Sequence, residues 1–261
     1  MTKRNQVLMC IALAAVTVLV ILASRSSSPD YPPVVAPASL YSDSQLPDLA
    51  SAADVAEKKA TFFGFVLPLV ETENQRIALI RQELETFAAL AELNDDQRLW
   101  LDDVALHYRI KNGSESHQQL ISVLLRRVDT VPPSLALAQS ANESAWGVSR
   151  FARKGNNLFG QWCFKRGCGL VPSSRNEGAV HEVAVFDNPG KSVESYIHNL
   201  NSNAAYQEFR KERKQQREQN RLLSGSVLAG GLLMYSARGS EYVDELRAMI
   251  KTNGLSQYDT F

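Results

Sequence analysis

From about Lys59 onward the chain is written almost entirely at helical spacing, and strand-like alternation occurs only once. Residues 60–71 are apolar with Pro68 inside, which predicts one bent helix or two that abut. Residues 73–92 place Ile77, Ile80, Leu84, Phe87, Ala88 and Ala91 at steps of three and four, the stripe of an amphipathic helix. Further helices are expected over 95–110 and 116–128, with Asn112-Gly113 ending the first, and from Ser134 to Trp146 after Pro132-Pro133. Three more are expected at 190–202, 204–222 and 226–251, with a break near Gly239. The alternating stretch, Ala179 to Phe186, follows a turn signal at Asn176-Glu177-Gly178, and Leu170-Val171 can supply its partner strand. Nothing suits a parallel sheet. The expected class is α+β, mainly α, with a small β-hairpin.

Residues 7–23, VLMCIALAAVTVLVILA, form an unbroken apolar run preceded by Lys3 and Arg4. Such a start reads as an export signal or a transmembrane anchor within residues 1–28. Ile21 at the −3 place and the lack of a lipobox cysteine after the run favour an uncleaved anchor. The positive-inside rule then leaves Lys3 and Arg4 in the cytoplasm and the body in the periplasm, on a single-pass inner-membrane anchor. Residues 29–59 hold five of the ten prolines (Pro29, Pro32, Pro33, Pro37 and Pro47) and read as an extended tether that buries no core. The remainder divides into a helical extension, 60–129, and a main domain, 130–261.

Lysines and arginines number 28, as do the acids; the first 28 residues hold three of the cations and no acid, leaving the rest at net −3. That balance argues against a nucleic-acid binder working through a broad basic face. The run QEFRKERKQQREQNR at 207–221 could touch an anionic polymer, but it fits better as the solvated face of a helix with i,i+4 pairs.

Several chemistries are excluded. His181-Glu182 opens like a zinc-protease motif, but Val185 stands where the second histidine belongs. There is no Walker loop, dinucleotide fingerprint or Gly-x-Ser-x-Gly elbow. Three cysteines cannot build a four-cysteine zinc site. Cys163 and Cys168, in CFKRGC, would close a small disulfide loop in an oxidising compartment; the spacing also suits a metal pair, but no second pair is present. The dense region is 135–168, where a small-residue helix ends in Glu143-Ser144 with Trp146, Phe159 and Trp162 close by. A carboxyl among aromatics keeps its proton and suits a general acid. An exposed Glu143 beside core aromatics is the other reading of the same residues.

The pattern Ala138-x-x-x-x-Glu143-Ser144-x-Trp146-Gly147-x-Ser149, followed by Asn156-Asn157-Leu158-Phe159-Gly160, resembles the glucosaminidase domain of glycoside hydrolase family 73. GQWCFKRGCG, HEVAVF and SVESYIHNLNSNAAY narrow the resemblance to one bacterial branch, whose cysteine loop departs from the general family pattern. The likeness spans roughly residues 130–255. It implies a lysozyme-like fold of two lobes around a cleft. It also implies hydrolysis of the β-1,4 bond after N-acetylglucosamine in peptidoglycan, with amide bonds left alone. Glu143 matches the family's catalytic glutamate. The second carboxylate is placed on the hairpin, where Glu182 is favoured and Glu177 is the alternative. Trp146, Asn157, Phe159, Trp162 and Tyr206 are the expected substrate contacts, although Tyr206 also reads as a core aromatic. The implied partner is the glycan strand, with no metal and no organic cofactor. An inverting, a retaining or a substrate-assisted route would each serve. Two rivals share the fold: a lytic transglycosylase and a non-catalytic wall-binding module.

Overall fold

A computed structural model of the chain describes residues 31–260 apart from 112–115, 174–177 and 179. The apolar run 7–23, the Asn112-Gly113 helix ending, the Asn176-Glu177 part of the expected turn and hence Glu177 itself lie outside the described residues. Among the described residues, no helix is long and apolar enough to cross a membrane.

The central pillar is α1, Val55–Ala88, a single helix of 34 residues opened by the Asp54 carboxylate, which accepts from the Glu57 amide at 2.8 Å. Pro68 does not divide it. The proline is exposed, and so is Gly64, whose carbonyl loses its helical partner, so water can satisfy that group on the outer face. The buried row of Phe62, Val66, Val70, Ile77, Ile80 and Leu84 runs the helix's length. Helices α2, Asp95–His107, and α3, His117–Arg127, each begin with a capping box, Asn94 with Gln97 and Ser116 with Gln119.

Helix α4, Pro133–Glu143, is the innermost element; every residue from Pro133 to Ala141 is buried. Its alanines and serines let neighbouring backbones approach closely. The Asp259 carboxylate accepts from Ser134 N at 3.0 Å and from its hydroxyl at 2.7 Å, placing an anion on the helix's positive end. Then come α5, Arg150–Gly155; α6, Pro189–Ser202; α7, Gln207–Glu218; α8, Gly225–Leu228; and α9, Ser240–Thr252.

The expected hairpin is present but is part of a three-stranded antiparallel sheet. Its strands are β1, Trp162–Cys163; β2, Gly169–Leu170; and β3, Glu182–Ala184, in the order β1-β3-β2. Val183 pairs with Trp162 on one side and Leu170 on the other. Cys163 and Cys168 are disulfide-bonded across the β1–β2 connection.

Two readings of the sequence need correction. The proline-rich stretch is not a free tether over residues 32–54. Ala36, Tyr41 and Leu49 are buried, Arg76 donates to the carbonyls of Pro33 and Val34, and Trp100 Nε1 donates to that of Pro32. The Ala36 amide donates to Glu194, and Tyr41 donates its hydroxyl to Glu73 at 2.7 Å. The segment is a strap laid over α1 and α6. Nor is α7 simply a solvated basic face. Arg210 and Arg213 are buried one turn apart, and Arg213 donates to Asn201 Oδ1 and the carbonyls of Asp129 and Thr130. One buried cluster extends from Leu49 to Leu255, across residues 129 and 130.

Candidate active site

Glu143 is the last residue of α4, and the turn after it is conformationally costly. Ala145, Trp146 and Gly147 have φ of 52°, 59° and 75°, all left-handed. Such residues cost roughly 1–3 kcal/mol each outside glycine. The Ser144 hydroxyl holds the turn, donating to Ser140 O at 2.6 Å while accepting from Gly147 N at 2.8 Å. Position 147 must be glycine twice over, because a Cβ there would also come within 2.5 Å of Leu49 Cδ1 in the strap. The turn swings Trp146 away from the carboxyl and onto α1. Its ring lies 5.9 Å from that of Phe62 and 5.2 Å from that of Phe63, with the Lys59 ammonium over it at 5.1 Å. Trp146 therefore supports the turn and does not line the cavity.

Glu143 reaches a cavity of about 480 Å³, lined also by Phe159, Gly160, Gln161, Trp162, Phe164, Tyr206 and Tyr235, with Arg109, Ser195, His198, Asn199 and Asn203. Its Oε1 accepts from the Tyr242 hydroxyl at 2.8 Å. That hydroxyl accepts from Gln139 Nε2 at 2.9 Å, and Gln139 Oε1 accepts from Tyr196 at 2.6 Å. The chain Tyr196, Gln139, Tyr242, Glu143 thus runs in one donor direction and fixes the carboxyl. The other oxygen, Oε2, lies beside Gly160, where a Cβ would meet it at 3.4 Å.

Burial raises the Glu143 carboxyl above the ordinary glutamate range, and nearby Glu245 adds to the effect; the Tyr242 bond and Arg238 oppose it. The hydroxyls of Tyr206, Tyr235 and Tyr242 are pushed up, chiefly by burial, so they stay donors. His198 is drawn down to about 3 by burial, His107 and two arginines, and is neutral.

The expected substrate contacts divide. Trp162 is 58% exposed and stacks on His181 at 4.3 Å; Phe159 lies flat on Tyr196 at 3.9 Å; and Tyr206 stands 5.9 Å from Tyr235. All three line the cavity. Asn157 does not: it is buried, its oxygen accepting from the amides of Phe159 and Gln161, its nitrogen donating to the carbonyls of Gln161 and Ala184. It shapes the Asn-Asn-Leu-Phe-Gly loop from inside.

Glu182 is the larger correction. It is buried, with Oε1 accepting from Gly167 N at 3.0 Å and Oε2 from Gly169 N at 2.9 Å, and it is not among the cavity residues. Alternation places His181, not Glu182, on the side of Trp162. Cys163, Cys168 and Glu182 gather within 4.8 Å, but the sulfurs are bonded to each other and the carboxylate holds the loop. Among the described residues, Glu143 is the only carboxylate lining the cavity. Sequence reasoning missed Gln139, Tyr235 and Tyr242. Of these only Gln139 left a signal, four residues before Glu143 on the same helix face.

A carboxyl raised by burial and anchored through tyrosines, beneath a rim of exposed aromatics, has the make-up of a glycosidase acid site. Residues 118–255 match the glucosaminidase family, described as mannosyl-glycoprotein endo-β-N-acetylglucosaminidase, and the chain belongs to that family of glycoside hydrolases. It is 33% identical to Protein bax of Escherichia coli (strain K12) over 210 residues, 80% of this chain and 75% of that one. Among solved structures, the catalytic domain of the autolysin Auto from Listeria monocytogenes is 19% identical. That match covers 67% of this chain and 94% of the other, at a TM-score of 0.36, which carries no argument about the site.

Proposed function

We propose that this protein is a peptidoglycan hydrolase, an endo-β-N-acetylglucosaminidase that cleaves the β-1,4 bond after N-acetylglucosamine and leaves amide bonds intact. The observation that carries the reading is Glu143, a carboxyl raised by burial and held by Tyr242 in an aromatic cavity of a glucosaminidase-family chain. Glu143 donates its proton to the glycosidic oxygen as the C–O bond breaks, and the positive charge that develops at the sugar carbon is met by an oxygen nucleophile. With Glu182 spent on two backbone amides, that nucleophile is either water activated by Glu177 or the substrate's own N-acetyl oxygen. The exposed Trp162 offers a face against which a sugar ring can pack, with the buried Phe159 and Tyr206 forming the wall behind it, within a two-lobed cleft of lysozyme type.

In the same reading, the apolar run 7–23 anchors the protein in the inner membrane with the body in the periplasm, where the Cys163–Cys168 bond fits the redox conditions. Clearing of purified cell-wall sacculi tests the assignment. The full chain should solubilise sacculi, and Glu143→Gln should not; equal clearing by both proteins would remove Glu143 from the chemistry. Glu177→Gln then separates the two nucleophiles. A loss of ~10²-fold or more assigns the base to Glu177, and retained activity assigns attack to the N-acetyl group.

A further inference from the structure

The basic helix α7 has more to do than cover a core. Its Arg210, Lys211 and Lys214 join Arg126 and Arg127, at the end of α3, around a groove of about 410 Å³ whose lining, among the described residues, holds no carboxylate. The groove begins where the catalytic cavity ends, since Ala204 lines the first and its neighbour Asn203 lines the second. Arg127 ties the two together by donating to Tyr108 O at 2.6 Å and Ser202 O at 3.0 Å, beside the cavity residue Arg109.

The cations are poorly compensated. Among the described residues, Lys211 and Lys214 pair only on their own exposed helix face, with Glu208 at 3.4 Å and Glu218 at 3.1 Å, and such solvent-exposed pairs are weak. Arg127 and Arg210 bond to carbonyls, not carboxylates. Burial and the charge of Arg127 pull Arg210 down to about 10. Beyond the groove, a second depression of about 450 Å³ shares Arg126 and Lys214, and there Arg81, Arg213 and Arg217 converge on the buried Asp129, with Glu218 on its rim and Glu85 also paired to Arg81. In a chain with no net charge, so one-sided a concentration next to the cleft is a field that draws anions.

We propose that this groove is a docking site for the acidic peptides borne by a peptidoglycan strand, their carboxylates seated among Arg126, Lys211 and Lys214 while the glycan lies in the cavity. The proposal rests on the peptidoglycan reading of that cavity. Guanidinium and ammonium groups suit carboxylates, and the groove's adjacency to the cavity suits side branches of the strand being cut.

The test compares fluorescently end-labelled glycan strands with the same strands stripped of peptides by an amidase. Affinity is measured by anisotropy at low and raised salt, with the full chain carrying Glu143→Gln so that the strands persist. The expected result is at least tenfold tighter, salt-sensitive binding of the peptide-bearing strand, with the advantage lost on adding Arg126→Glu, Lys211→Glu and Lys214→Glu. Equal affinity for the two strands overturns the proposal whatever the variants do, and so does an advantage that survives the three reversals in a folded protein. Cleavage by the wild type is read separately, by reducing ends released. A peptide-dependent affinity without cleavage would support the groove and overturn hydrolysis; cleavage without peptide dependence would do the reverse.

Discussion

Replacing Glu143 by glutamine should move activity and stability in opposite directions. The amide keeps the oxygen that accepts from Tyr242 at 2.8 Å, so the Tyr196-Gln139-Tyr242 chain need not rearrange. What disappears is the transferable proton, and general acid catalysis is worth ~10²–10⁴-fold. Stability follows from the raised carboxyl pKa. A carboxyl whose pKa is higher in the folded state supports the fold below its unfolded pKa, and that support is lost as pH rises through the folded value. Where that carboxyl is ionised the wild type holds a buried charge against its preference, and glutamine does not. Glu143→Gln should therefore be the more stable protein at pH 7, with its advantage narrowing as pH falls toward the ordinary glutamate range. Urea denaturation of both proteins across that range, beside sacculus clearing, measures both effects. A variant less stable than wild type at pH 7 would show that the carboxyl is not held against its charge, and wild-type turnover would remove Glu143 from the chemistry.

Three further outcomes are expected. Tyr242→Phe removes a bond that favours the ionised Glu143, so the alkaline limb of the pH–rate profile should move up; it also strands Gln139 Nε2, costing ~1–3 kcal/mol, and an unmoved limb would break the link. Leu49→Ala opens a void behind the catalytic turn and should cost ~2–5 kcal/mol by denaturation; a loss below about 1 kcal/mol would mean the strap is not seated as described. Glu182→Gln leaves one of the Gly167 and Gly169 amides facing an NH₂ group, so it should lower the melting temperature and loosen the cysteine loop without moving the pH–rate profile; a displaced profile would return Glu182 to the chemistry.

Most helices were legible because burial follows a period near 3.6, and α1 to α3 leave that signature in Ile77, Ile80, Leu84 and their successors; α4, buried all round, was marked instead by Pro132-Pro133 before it. The strap was not, because its hold on the body depends on few apolar residues. Its backbone is bound by side chains far along the chain, Arg76, Trp100, Lys191 and Glu194, and no local pattern records them. Arg210 and Arg213 were hidden for a related reason: a charge reads as exposed until the carbonyls that would bury it are in view. At the site, Glu143, Phe159 and Trp162 stood out as a carboxyl among aromatics and Tyr206 entered with the family resemblance, and all four line the cavity. Trp146 was misplaced because three left-handed residues reverse the direction that its closeness to Glu143 suggests. Glu182 was misplaced because alternation separates the two faces of β3 without saying which one meets the cavity.

Mass analysis of the fragments released from sacculi by the full chain decides whether Glu143 serves a hydrolase acting after N-acetylglucosamine. Fragments ending in reducing N-acetylglucosamine, gained with the mass of water and absent with Glu143→Gln, are expected. Anhydromuramic ends would make the protein a lytic transglycosylase, and the absence of any fragment would make it a wall-binding module; either result overturns hydrolysis by Glu143.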